Sequence, residues 1–388
     1  VRNPFSSSRT AVATAVVVVL AAGGIVSAAL IHGGGHQRVA TPATTAPSST
    51  APATTSETTT PPAKPHHRPH PHHRHHHHRR HRASRPVAPL TGLPISAKAA
   101  KQPAVVVKID NISAALPQTG VNQADIVYEE LVEGGLTRLA AVFQSQYPAR
   151  VEPVRSGRLT DEGIADDLDH PVLAYSGTNG IFQPLLAAQP VQDVTATNYP
   201  ALFIRDADRD APHNLYASVG ALAATDKPAH PPSSRFLSFH PAGHRLAGAG
   251  VTRATGLSIP FPAASIQWSW DAKSRLWLRT QDGAPDVDST GARLSATNVI
   301  VQFVPYVTSA YATGEGNVVP VPIPEGKLVG KGTAWILSGG AIVKGTWSRR
   351  SLTTTTVYKD ARGKTIEVAP GRTWIELAPS GTPVPVST

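Results

Sequence analysis

Between Arg9 and His32 the chain runs for 22 residues without a charge, TAVATAVVVVLAAGGIVSAALI, and this stretch constrains everything after it. A helix of about 20 apolar residues is long enough to cross a bilayer core. Residues 10–31 therefore read as one transmembrane helix, with residues 1–9 as a short cytoplasmic segment. The length exceeds the roughly 7–15 residues of a signal-peptide core, which points to an uncleaved signal anchor. The Val26–Ala28 triplet still offers a cleavage site, so removal of the segment stays open. Arg2 and Arg9 precede the stretch and only Arg38 follows closely. Basic residues stay on the cytoplasmic side, so the expected topology is single-pass in the cell membrane, with the N-terminus inside and the globular part outside.

Residues 32–85 have little to bury. Positions 40–63 are Ala, Thr, Ser and Pro with a single acid, Glu57. Such a composition stays extended and solvated and suits O-glycosylation. HHRPHPHHRHHHHRRHR at 66–82 follows, a basic tract that reads as linker, as a loose metal-binding run, or as a contact with anionic wall polymers. The whole segment is expected to be a disordered stalk. It also explains the charge. Of the chain's 36 Lys and Arg, ten lie before residue 86, against one of its 26 acids. The remainder is nearly neutral, whereas a nucleic-acid-binding domain carries its basic excess on the folded part. Nucleic acid is therefore not an expected partner. The absence of Cys removes disulfides, thiolate metal sites and a cysteine nucleophile.

From residue 86 the pattern becomes globular. AVVVKID at 104–110 is a buried-strand run. ADIVYEELVE and LTRLAAVFQSQ flank Gly134-Gly135 as a hairpin. TDEGIADDL reads as a short helix capped by Thr160, PVLAYSG as a strand, IFQPLLAAQ as a helix, ALFI at 201–204 as a third core strand, and 218–225 as a helix. Residues 86–227 are thus expected to form an α+β or α/β domain and 228–262 a connector. Residues 263–388, with all six Trp and strand after strand, read as a mostly-β domain.

The blocks PLTGLPI, AVVVKIDN, QTGVNQADIVYEELVEGGLTRLAAVFQ, EPVRSGR, APHNLYAS, GTAWILSGGAIVKGTWSR and APGRTWIEL, taken in order, resemble the YerB-like lipoprotein family of bacteria. The resemblance runs over most of 89–380. It implies a bipartite extracytoplasmic module with an α/β-like first half and a β-rich second half, and no defined chemistry. A lipoprotein needs a lipobox Cys, which this chain lacks, so segment 10–31 is expected to serve as the anchor.

Arg155 and Arg158 flank Ser156-Gly157 in front of the helix expected from Thr160. Two guanidiniums, a close-approach glycine and a helix start make a cradle for phosphate or carboxylate. The competing reading is a salt-bridge corner with Asp161, Glu162, Asp166 or Glu129. Arg138 is a further anion-binding candidate, unless it is spent on Glu129 across the hairpin; the acids on both faces of 128–133 also suggest that one of them faces a cleft. His213, beside Asn214, is a candidate general acid or base, or a structural histidine. Glu129 and Asp161 are weaker catalytic candidates. Asn111, Arg155 and Arg205 sit at expected strand ends and could converge on one crevice. Trp268 and Trp270 share a strand face, as core packing or as a platform for sugar rings. No motif marks a nucleophile, a metal site or a cofactor site. Two functions follow. One is a membrane-anchored envelope protein that binds an anionic or glycan wall component or a peptidoglycan-assembly partner. The other is an extracytoplasmic hydrolase or transferase acting on a phosphorylated or glycosidic wall substrate.

Overall fold

The computed structural model describes residues 85–232, 236–308 and 324–388. The segments read as membrane helix, cytoplasmic start and stalk lie outside them. Among the described residues no helix is long and apolar enough to cross a membrane. The described residues belong to one compact unit.

In chain order the strands begin with β1 (Val105–Asp110), β2 (Ile126–Leu131), β3 (Thr137–Phe143), β4 (Val172–Tyr175), β5 (Gln192–Thr195), β6 (Phe203–Arg205) and β7 (Leu215–Ala217). There follow β8 (Thr252–Arg253), β9 (Gly256–Phe261), β10 (Ala264–Asp271), β11 (Leu276–Gln281), β12 (Ala284–Pro285), β13 (Ser295–Ala296) and β14 (Asn298–Val304). The last are β15 (Tyr306–Thr308), β16 (Pro324–Gly326), β17 (Gly330–Ser338), β18 (Ala341–Arg349), β19 (Val357–Lys359), β20 (Thr373–Pro379) and β21 (Val386–Ser387). Among the described residues three short α-helices interrupt them, α1 (Thr160–Asp166), α2 (Phe182–Ala187) and α3 (Val219–Ala223). The described fold is therefore mostly β, less helical than the α/β pattern expected of its first half.

The central sheet runs β19-β18-β17-β14-β20-β2-β3-β1-β4-β5. Strands from both halves of the chain share it, joined where β20 pairs parallel with β2 on one side and β14 on the other. Both faces are covered. One packs Val107, Ile109, Leu139 and Ala141 against Ile259, Ile266 and Trp268 of the second sheet, β12-β11-β10-β9-β21. The other packs Val106, Ala140 and Tyr128 against Ile164 and Leu168 around α1, Leu186 of α2 and Leu237. Burial on both faces explains why β1 reads as a continuous apolar run and not as an alternation.

Several local expectations change. The stretch expected as a connector ends in β8 and β9, and β9 pairs with β10 inside the second sheet. Residues 201–204 are only partly the expected core strand: Leu202 and Phe203 pack on the core, and the strand itself is short. They enter β6, which pairs only with β7 in a separate two-stranded hairpin and leaves Ile204 51% exposed. Leu159, not Thr160, caps α1, and the Thr160 hydroxyl accepts the Gly326 N–H at 3.0 Å. The β2–β3 turn holds two left-handed glycines, Gly134 (φ 70°) and Gly135 (φ 76°). A Cβ on Gly135 would meet Pro262 at 2.7 Å, so the turn also seats against the second sheet's first hairpin.

Candidate anion-binding site

β1 is buried along its whole length, yet it carries Lys108 and Asp110. Strand alternation places both on one face, with Ile109 on the other. Register then builds a charged row across three strands: Arg138 of β3 lies opposite Asp110, and Glu130 of β2 lies opposite Arg138. On its other side β1 pairs in parallel with β4 only over Val105–Val107. Beyond that point Pro153–Arg155 fills the gap between them. The Asp110 N–H donates to the Pro153 carbonyl at 2.9 Å, the Arg155 N–H to the Lys108 carbonyl at 2.9 Å, and the Ser176 N–H to the Arg155 carbonyl at 3.0 Å. The cluster thus sits at the carboxyl ends of parallel strands, where open sheets tend to bind ligands.

Three guanidiniums gather there. Arg158 is held: its Nε and Nη2 both lie 2.8 Å from Glu133 Oε2, and its Nη1 donates to the Gly157 carbonyl. Arg155 Nε approaches Asp110 Oδ2 at 2.9 Å but makes no aligned hydrogen bond with it. The Arg155 side chain is 25% exposed, and among the described residues its terminal amines bond nothing. Arg138 spends Nη1 on the Ser156 carbonyl at 3.0 Å, while its buried Nε has no partner. Burial, and next the field of Arg158, pull the Arg138 pKa down to about 10, with Arg155 adding to the effect. This cation cluster holds more positive charge than its own acids offset.

His213 enters from the start of β7. Its Nδ1 lies 2.8 Å from Asp110 Oδ2, so the carboxylate accepts the Nδ1–H and Nε2 is left for a ligand. Asp110 therefore orients His213 and neighbours Arg155 through the same oxygen. Its other oxygen accepts the Asn111 N–H at 3.0 Å. Ser156 and Gly157 contribute backbone: the Gly157 N–H donates to Gly177, and its carbonyl accepts from Thr178. A Cβ on Gly157 would press on Tyr175 and Leu186 at 3.2 Å, which is how the loop lies so close to the sheet.

The rest of the expected constellation goes elsewhere. The helix start is taken by the chain's own acid, since Asp161 Oδ2 accepts the Arg158 N–H at 2.7 Å. Asp161 also pairs with Lys108 at 2.8 Å, and both side chains are fully buried. Lys108 holds Glu130 as well, and burial together with the charge of Asp161 raises Glu130 to about 7. Arg205 bonds Asn214 at 2.7 Å within the β6–β7 hairpin and is exposed, away from the row described above.

Glu129 does not pair with Arg138. Consecutive strand residues face opposite sides, so Glu130 lies across from Arg138 and Glu129 across from Leu139. Glu129 meets Arg279 of β11 at 2.7 Å, with no exposure on either side chain. Arg279 also pairs with Asp286, and the neighbouring Glu376 accepts the Trp268 Nε1–H at 2.7 Å. Asn111 turns into this second network, donating to Glu129 at 3.0 Å and Thr137 at 2.8 Å. It does not converge with Arg155. Trp268 is 1% exposed and stacks edge-on with Trp374, so no sugar ring can reach it. Trp270 is partly buried against Trp277, with its ring over Gly340. Among the described residues no three His, Cys, Asp or Glu side chains gather as a metal ion would require.

Asp110 and Lys108 were missed as site residues. The available signal was two charges ending an otherwise apolar buried run. Arg279 had one too, because it shares its strand face with Trp277 and Gln281 and so had to point inward.

Family models described as "Protein of unknown function (DUF3048)" match this chain twice, the N-terminal domain over residues 90–231 and the C-terminal domain over 257–375. The chain is 26% identical over 297 residues to a Bacillus subtilis (strain 168) protein named "Putative lipoprotein YerB", covering 75% of this chain and 86% of that one. The crystal structure of the YerB protein from Bacillus subtilis superposes with a TM-score of 0.66 at 23% identity, over 78% of this chain and all of that chain. That likeness concerns the fold alone.

Proposed function

This chain belongs to the DUF3048 family of unknown function, and we propose that it is an extracytoplasmic envelope protein, anchored by residues 10–31, that binds an anionic envelope component at Arg138 and Arg155. One observation carries the reading. Among the described residues two guanidiniums keep N–H groups without hydrogen-bond partners at the carboxyl ends of β1 and its neighbours. Guanidinium N–H groups are strong directional donors to oxyanions, and a buried one left unpartnered costs stability unless a ligand completes it. The name of the Bacillus relative, a lipoprotein, agrees with a membrane-attached location.

The test is calorimetric titration of the full chain with inorganic phosphate, pyrophosphate and soluble wall fragments. Arg155→Ala should weaken binding by about ten- to a hundredfold, the range of one or two charge-assisted hydrogen bonds, while shifting stability little. Equal affinity in wild type and Arg155→Ala would end this reading. The His213–Asp110 pair supports a second one, hydrolase or transferase chemistry, because an imidazole held by a carboxylate is the usual form of a general base. Turnover of a phosphorylated wall fragment that disappears in His213→Gln would establish it. Binding without turnover would leave the protein a binder.

A further inference from the structure

We propose that the anion taken at this site is a phosphodiester bearing a hydroxyl near its phosphorus, as in a glycerol- or sugar-linked diester. The proposal rests on the anion-binding reading above and narrows it to one chemical class.

Charge sets the first limit. Arg138, Arg155 and Arg158 face Asp110 and Glu133, which leaves one positive charge uncompensated. Next to them Lys108 offsets Asp161, while burial and the charge of Asp161 raise the second acid it holds, Glu130, to about 7, so that below that pH Glu130 is neutral and the excess stands. A single negative charge closes the cluster. A phosphate monoester dianion would strand a negative charge among partly buried groups, which is costly.

Shape separates a diester from a carboxylate, the other common monoanion. A planar carboxylate is satisfied by one guanidinium fork. Here the two guanidiniums with free N–H groups flank Asp110 from opposite sides, Arg138 from β3 and Arg155 from the inserted 153–155 segment. Donors arriving from two directions suit the splayed non-bridging oxygens of a tetrahedral phosphorus.

His213 supplies the hydroxyl requirement. With Nδ1–H given to Asp110, neutral His213 presents a lone pair at Nε2. A lone pair repels an anionic oxygen and accepts an O–H. The adjoining loop, Ser176 to Asn179, is polar and partly exposed, a rim suited to a polyol or sugar.

Titrating the full chain with four small probes tests the class. Glycerophosphoglycerol should bind about tenfold tighter than dimethyl phosphate, the worth of one added hydrogen bond. Both should bind tighter than glycerol 3-phosphate and acetate. His213→Gln should narrow the preference between the two diesters. Tighter binding of glycerol 3-phosphate or acetate overturns the diester assignment while leaving the anion site standing. Equal affinity for the two diesters overturns the hydroxyl assignment. If no probe binds, the anion-binding reading falls with it. Soluble poly(glycerol phosphate) and phosphatidylglycerol vesicles distinguish the source. Binding to either, competed by glycerophosphoglycerol, supports the proposal and shows whether polymer or lipid supplies the diester. Binding to neither overturns it.

Discussion

Glu129 and Glu130 are chain neighbours that live in opposite electrostatic settings. Glu129 points into the seam between the two sheets, where Arg279, Asp286 and Glu376 close around it without solvent. Glu130 points to the other face, where Lys108 binds it beside a cluster in which Arg155 and His213 keep 25% and 16% of their side chains exposed. The sealed network has one cation against three acids, and burial together with the Glu129 charge pushes the Glu376 pKa well up. The open cluster sets Lys108, Arg138, Arg155 and Arg158 against Asp110, Glu133, Asp161 and a Glu130 raised to about 7, so it gains a positive charge below that pH. A buried charge set sealed from solvent is a structural joint, and one that leaves donors facing solvent is poised for a ligand. Burial and unspent donors distinguish the two where residue type alone does not.

The largest effect should come from breaking the joint. Arg279→Ala strands Glu129 and Asp286 inside the fold, and removing one partner of a buried ion pair typically costs about 3–5 kcal/mol. Urea unfolding should show it, and a loss below about 1 kcal/mol would mean that water enters the seam.

Glu130→Gln tests the open face through pH. Folded Glu130 binds its proton up to about pH 7, against 4.5 when unfolded. Between those values the folded state holds more protons than the unfolded chain, so stability is greatest below about 4.5 and is lost as pH rises through 7. Asp166, raised to about 6 by burial, acts in the same direction and is present in both proteins. Glu130→Gln should therefore flatten part of the decline and match wild type at low pH. An unchanged slope would show that Lys108 already holds Glu130 in its ionised form against the charge of Asp161.

Arg205→Ala should do least. The residue is exposed and, among the described residues, its side chain bonds only Asn214, so stability should move by no more than about 0.5 kcal/mol and anion affinity not at all. A loss of affinity would extend the site to the β6–β7 hairpin.

Strands were the most legible elements, because AVVVKID, the Gly134-Gly135 hairpin and the Trp-rich β10–β11 pair carry their pattern within a few residues. Part of the site was legible as well: Arg155, Arg158 and His213 come together around PVRSGR. Their roles were not. Arg158 is committed to Glu133, and its place as a free donor passes to Arg138, because register across β1 and β3 decides which side chain meets Asp110. Glu129 was misassigned for a related reason. Its partner Arg279 lies 150 positions away in the second sheet, a contact that no local spacing encodes. Residues 201–204 looked like core by composition, but nothing in those four letters reveals that their only strand partner is β7.

The parallel join through β20 also bears on synthesis and inheritance. Ile126 pairs with Thr373, so a strand near the middle of the sheet leaves the ribosome long after the partner it pairs with. Until it arrives, β2 has an open edge and the sheet stays in two parts, a topology that makes folding slow and dependent on distant contacts. A gene truncated before β20 would lose the seam between its halves and not merely a tail. The two family segments are thereby tied to travel together, as they do in this chain.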